Sequence, residues 1–166
     1  MSELYNEVGV DAARFFYVSK SHSQHLDFDL ELAKQTNNEN PVYYIQYAHA
    51  RICRVLSQMT NQKISFEKEI AEKNLNKLTT KHEVELIAKL SGYSVLIEQS
   101  ANNKTVHTLA NYMHELAQLF HAYYSAEQFL IGDRELRNAR VLLIQAVQII
   151  LKNGLSILGV SAPSKM

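Results

Sequence analysis

Residues 40–51, NPVYYIQYAHAR, place three tyrosines, a histidine and an arginine in one short stretch. At about 100° per residue, Tyr44, Tyr47, Arg51 and Arg54 share one arc of a helix, roughly 80° wide. Ile45, His49, Ile52, Leu56 and Met59 fall on another arc of similar width, centred about 140° away. The aliphatic arc is a buried face. The aromatic and cationic arc has the side chains that recognise single-stranded RNA, in which unstacked bases lie on rings and guanidinium planes while a cation meets phosphate or a base edge. A structural reading competes with it: tyrosine and arginine also cover helix junctions, each ring on apolar surface with its hydroxyl in water.

Other reactive residue types lack the spacing their chemistry needs. His107, His114 and His121 recur every seven residues on one helical stripe, but neighbours stand about 10 Å apart, too far to share one metal. They are expected to flank the apolar stripe of Val106, Leu109, Met113, Leu116 and Phe120. Asp27, Asp29 and Glu31 resemble the opening of a calcium loop without its glycine, which leaves a solvated helix start. His22 and His25 have no further ligands nearby and read as loop residues. Cys53 is the only cysteine, so it forms no internal disulfide and no cysteine zinc cage; a small buried apolar role is expected. The chain has no phosphate-binding loop, nucleophile elbow or zinc-protease helix. Neither a catalytic residue nor a metal site is therefore expected.

Composition narrows the class. With 166 residues, 46% of them hydrophobic, the chain can bury a sizeable core as one domain or one domain with an appendage. Seventeen Lys and Arg balance seventeen Asp and Glu, which argues against holding nucleic acid through a broad electrostatic field. RNA binding would have to be local. No apolar run is expected to span a bilayer, and the N-terminus MSELYNEVGV lacks the basic and apolar regions of a secretory signal. The expected location is cytoplasmic, without a membrane partner.

The elements that position these residues read as helices. Asn40 suits an N-cap and Pro41 the first helical position, so a long helix starts at Pro41. Further helices are expected over 9–19, 26–35, 66–77, 81–101, 105–130 and 133–153. Gly154 is expected to end the last of these, with Gly159 repeating the signal. Pro163 argues against helix resuming, so Ser161 to Met166 should lie extended over other helices. Two prolines, five glycines and no alternating strand pattern predict an all-α helical bundle.

The segments EVGVDAARFFY, HLDFDLELAK and NPVYYIQYAHARICRVL resemble consecutive parts of the arginyl-tRNA synthetase family of class I aminoacyl-tRNA synthetases. The segment from LANYMHELAQLFHAYY through RNARVLLIQAVQIILKNGLSILGVSAPSKM resembles that family's C-terminal helical DALR anticodon-binding domain, with RNAR near the motif position. The family's HIGH-like signature and KMSKS-type loop are absent. The resemblance implies a helical bundle of the class I anticodon-binding type at 36–166, preceded at 1–35 by the end of a catalytic region. It implies that Tyr44, Tyr47, Arg51, Tyr124 and Met166 meet the anticodon loop of tRNA(Arg). The complete enzyme would attach arginine to that tRNA using ATP with magnesium in a separate domain; the 166-residue chain alone would be a cofactor-free, inactive monomer. A helical protein-interaction or dimerisation domain without RNA binding is the alternative.

Overall fold

The computed structural model describes residues 2–21, 24–25 and 27–166. Among them the only regular elements are helices, as the residue pattern predicts. They are α1 (Ser2–Val8), α2 (Val10–Val18), α3 (Leu30–Lys34), α4 (Pro41–Asn61), α5 (Lys68–Lys73), a 3₁₀ turn (Leu75–Lys77), α6 (Lys81–Ser91), α7 (Tyr93–Asn103), α8 (Val106–Ala126) and α9 (Arg134–Ile157).

The three long helices α4, α8 and α9 make the core. Ile45 and Ile52 of α4, Met113, Leu116 and Phe120 of α8, and Ile144, Leu151 and Leu155 of α9 are all removed from solvent. Burying each such side chain stabilises the fold by about 1.5–3 kcal/mol before entropy is counted. The shorter helices complete the shell: α5 lies along α9, α6 against α8 and α9, α7 against α8, and α2 against α4 and α8.

Capping explains where the site-bearing helix begins. The Asn40 side chain accepts from Val42 N at 3.2 Å and donates to the carbonyls of Ala33 and Gln35. One buried side chain thus starts α4 and ties it to the end of α3. Asp29 caps α3 through Leu32 N, which makes the acidic stretch a helix start, although α3 is shorter than the expected 26–35. Thr80 and Glu83 form a reciprocal capping box on α6, and Asp133 caps α9 through Glu135 N and Leu136 N.

Several expected boundaries move. Gly9, at φ 82°, separates an unexpected α1 from α2. Gly92 divides the expected 81–101 helix into α6 and α7, and the 105–130 helix stops at Ala126. Gly154 does not end α9. It sits inside the helix because a Cβ there would stand 2.2 Å from Met113 Sδ; it is a packing glycine. The stop belongs to Gly159, at φ 70°, with Val160 N reaching back to Leu155 O at 2.9 Å and the Val160 side chain buried.

The expectation that no segment has the length and hydropathy of a membrane span is also corrected. α9 has both, with a window of mean hydropathy 1.3. Here its apolar face, Val141, Ile144, Val147, Leu151 and Leu155, is buried in the bundle.

Candidate nucleic-acid interface

Tyr47 and Arg51 are one helical turn apart on α4, so their side chains meet. The Arg51 guanidinium carbon stands 4.4 Å from the Tyr47 ring centroid and 4.6 Å from that of Tyr124, which projects from α8. The cation is thus shared between two π faces, an arrangement that contributes about 0.5–2 kcal/mol per contact depending on desolvation.

A third group fixes it. Arg51 donates from one terminal nitrogen to His121 Nδ1 at 3.1 Å, and His121 Nε2 lies 3.1 Å from the Tyr44 carbonyl. A guanidinium can only donate and a carbonyl can only accept. Nδ1 therefore carries the lone pair and Nε2 the proton, which is the neutral imidazole. Burial holds the His121 pKa below its ordinary value, opposed by the Tyr44 carbonyl and assisted by the Arg51 charge.

Arg51 borders a groove of about 520 Å³. Tyr47, Arg51 and Tyr124 line it together with Arg54, Lys165 and Met166. Among the described residues no Asp or Glu side chain lines it, while three cationic ones do, so the groove is locally cationic although the chain is neutral overall. Its other polar lining includes Cys53, Ser57, Gln58 and Asn61.

The C-terminal segment reaches the groove by a defined route. After the Gly159 turn, Ser161 N donates to Asp11 Oδ1 at 3.2 Å and its hydroxyl donates to Asp11 Oδ2. Gln46 Nε2 bridges the Ser161 carbonyl and Asp11 Oδ2. His49 Nδ1 donates to the Pro163 carbonyl at 2.9 Å. The segment has no regular structure from Val160 onward and lies over α4, as Pro163 suggested, ending at an exposed Met166.

The structure therefore gathers Tyr47, Arg51, Tyr124 and Met166 around one groove and leaves Tyr44 outside it. Tyr44 is half-buried behind the groove, its ring centroid 4.4 Å from His121 and 5.5 Å from His114. Burial pushes its phenol pKa up. Tyr124 is also half-buried, packed against Phe120 and Phe129, so it is more than a solvent-facing ring.

Other expectations change here. His121 does not merely flank an apolar stripe; it joins α8 to Arg51. Cys53 is only partly buried, accepts a 3.1 Å contact from Gln148 Nε2 and faces the groove, so it is not an apolar filler. His25 makes an exposed contact with Asp27, while His22 lies outside the described residues. Among the described residues no cluster of three His, Cys, Asp or Glu side chains could hold a metal.

Comparison with known proteins identifies the family and the fold. Residues 45–166 match the family described as DALR anticodon binding domain. Over all its 166 residues the chain is 55% identical to an arginine–tRNA ligase of Coxiella burnetii, and 51% identical to one of Thioalkalivibrio sulfidiphilus. It spans 28% of the length of each of those relatives. Among solved structures, the arginyl-tRNA synthetase of Thermus thermophilus superposes with a TM-score of 0.80 at 28% identity, over 99% of this chain and 27% of that one. With a family match covering most of its length and a bundle of the same fold, the chain belongs to the DALR anticodon-binding domain family.

Proposed function

We propose that this chain is the anticodon-recognising part of an arginine–tRNA ligase. The observation that carries the reading is Arg51 held between Tyr47 and Tyr124 at a groove lined, among the described residues, by three cationic side chains and no Asp or Glu. Unstacked bases of the tRNA(Arg) anticodon loop lie on the ring surface that the guanidinium leaves open, each stack contributing about 1–3 kcal/mol. Arg51 has further N–H groups for phosphate or a base edge, and Arg54 and Lys165 meet backbone phosphates. Met166 closes the groove beside them. Tyr44 acts from behind, supporting His121.

The chemistry belongs to the rest of the protein. There, ATP with magnesium activates arginine, and the anticodon contact holds the tRNA so that its acceptor end reaches that site. Residues 1–35 are the end of the catalytic region and 36–166 the recognition domain. In this reading the protein works in the cytoplasm as a monomer, and this chain alone does not charge tRNA.

Equilibrium binding to a stem-loop carrying the tRNA(Arg) anticodon arm tests the proposal. Saturable binding that weakens about 5- to 150-fold in Tyr47→Ala is expected. Absence of binding by the folded wild-type chain overturns it.

A further inference from the structure

His121 touches both sides of the site. Its ring stands 4.4 Å from Tyr44 and 5.7 Å from Tyr47, and its two nitrogens bond Tyr44 O and Arg51. Only 8% of the residue is exposed. Arg51 has no other protein hydrogen bond or ion pair among the described residues, so His121 is the single polar group that fixes its side chain.

We propose that His121 is the positioning residue of this site: as the neutral Nε2–H tautomer, anchored on the Tyr44 carbonyl, it presents the Nδ1 lone pair to Arg51 and keeps the guanidinium between Tyr47 and Tyr124 with its remaining N–H edge toward the groove. The role in RNA binding rests on the function proposed above; the geometric role does not.

The arrangement has a consequence for protons. Protonation puts a second N–H on the imidazole, removes the acceptor and sets two cations against each other at hydrogen-bond distance. The groups facing the ring are Arg51, Tyr44 and Tyr47 from α4 and Phe120 from α8, with His114 beyond Tyr44; no carboxylate pairs with it among the described residues. Nothing nearby would compensate the new charge. Arg51 therefore leaves its stacked position when His121 is protonated.

Nuclear magnetic resonance on the free chain reads this directly. Above pH 7, the imidazole nitrogens of His121 should show Nε2 protonated and Nδ1 bare, and the Arg51 δ-protons should be shifted upfield by the two rings. Both signatures should disappear in one transition on acidification, and the Arg51 shift should be lost in His121→Phe but retained in His121→Asn, whose side-chain oxygen can stand in for Nδ1. An Nδ1–H tautomer, or Arg51 signals that ignore the His121 titration, overturns the proposal. Stem-loop binding supplies the second arm. His121→Phe should weaken it about tenfold in the wild-type background and at most about twofold beside Arg51→Ala, because the effect passes through Arg51. Equal losses in both backgrounds refute the positioning role, while a wild-type chain that shows the resonances but binds no stem-loop refutes only the RNA function.

Discussion

Arg140 donates from Nε to Glu83 Oε1 at 2.8 Å, joining α9 to α6 through a pair almost wholly out of solvent. Its other nitrogens bond Glu127 and the Gln128 carbonyl, while the Tyr123 hydroxyl donates to Glu83 Oε1 and Thr80 N to Oε2. Every charge in the cluster is partnered. Arg140 is the last residue of RNAR, so the motif position serves the bundle and not the groove.

Removing one partner leaves the other charged and buried. Arg140→Ala is expected to lower unfolding free energy by about 3–5 kcal/mol, measured as a fall in urea midpoint. Replacing Glu83 and Arg140 together by leucine and methionine should cost less than the sum of the two single replacements, because neither charge is then left buried alone. Additive losses would show that the two charges are not coupled across α6 and α9.

Tyr47 and Tyr124 should separate binding from stability. Tyr47 contacts Tyr43, His121 and Arg51 outside the main core cluster, whereas Tyr124 packs on Phe120 and Phe129. Tyr47→Ala is expected to weaken stem-loop affinity by about 1–3 kcal/mol with little change in Tm. Tyr124→Ala should lose comparable affinity and also melt several degrees lower, since it opens a gap beside buried rings. Calorimetry and binding on the same samples distinguish them.

The terminal segment divides at Pro163. Ser164–Met166 are exposed, so deleting them should reduce stem-loop affinity severalfold while leaving the urea midpoint in place. Deletion starting at Pro163 also strips the acceptor from a buried His49 and should cost about 1–3 kcal/mol. Unchanged affinity in the shorter deletion would remove Met166 from the site.

What could be read beforehand was local. Asn40–Pro41 announced the start of α4 because capping is decided within one turn, and the Tyr47–Arg51 pairing followed from helical spacing. What could not be read depends on distant partners. Gly154 looks like a stop until Met113 is placed against it, since the same missing Cβ serves either purpose. His121 looks like stripe edging until α4 brings Arg51 to it. Tyr44 shares an arc with Tyr47, yet the position of α8 turns it inward onto His114 and His121. Its own helix could not specify that. The groove itself needed the tail as well as α4 and α8, and Met166 and Tyr124 were indicated only by family resemblance.

Acid should loosen the fold through His121. Its folded pKa lies below the ordinary value, so the unfolded chain takes up a proton first as pH falls. Stability is therefore highest above about pH 6.5 and declines as pH drops below that towards the folded pKa. His114, also lowered chiefly by burial, acts in the same direction. Urea midpoints from pH 8 to 5 should fall, and less steeply in His121→Phe. Equal slopes would mean that His121 is not held neutral by the fold.

The central claim is that the groove at Arg51 holds unpaired bases. Its most direct measurement is the affinity of the chain for the tRNA(Arg) anticodon stem-loop with an intact loop, compared with the same stem carrying abasic sites in the loop. Stacking predicts a loss of about 1–3 kcal/mol per base engaged, greatly reduced in Tyr47→Ala. Equal affinity for the intact and abasic loops would contradict it, because contact with phosphates alone cannot sense whether bases are present.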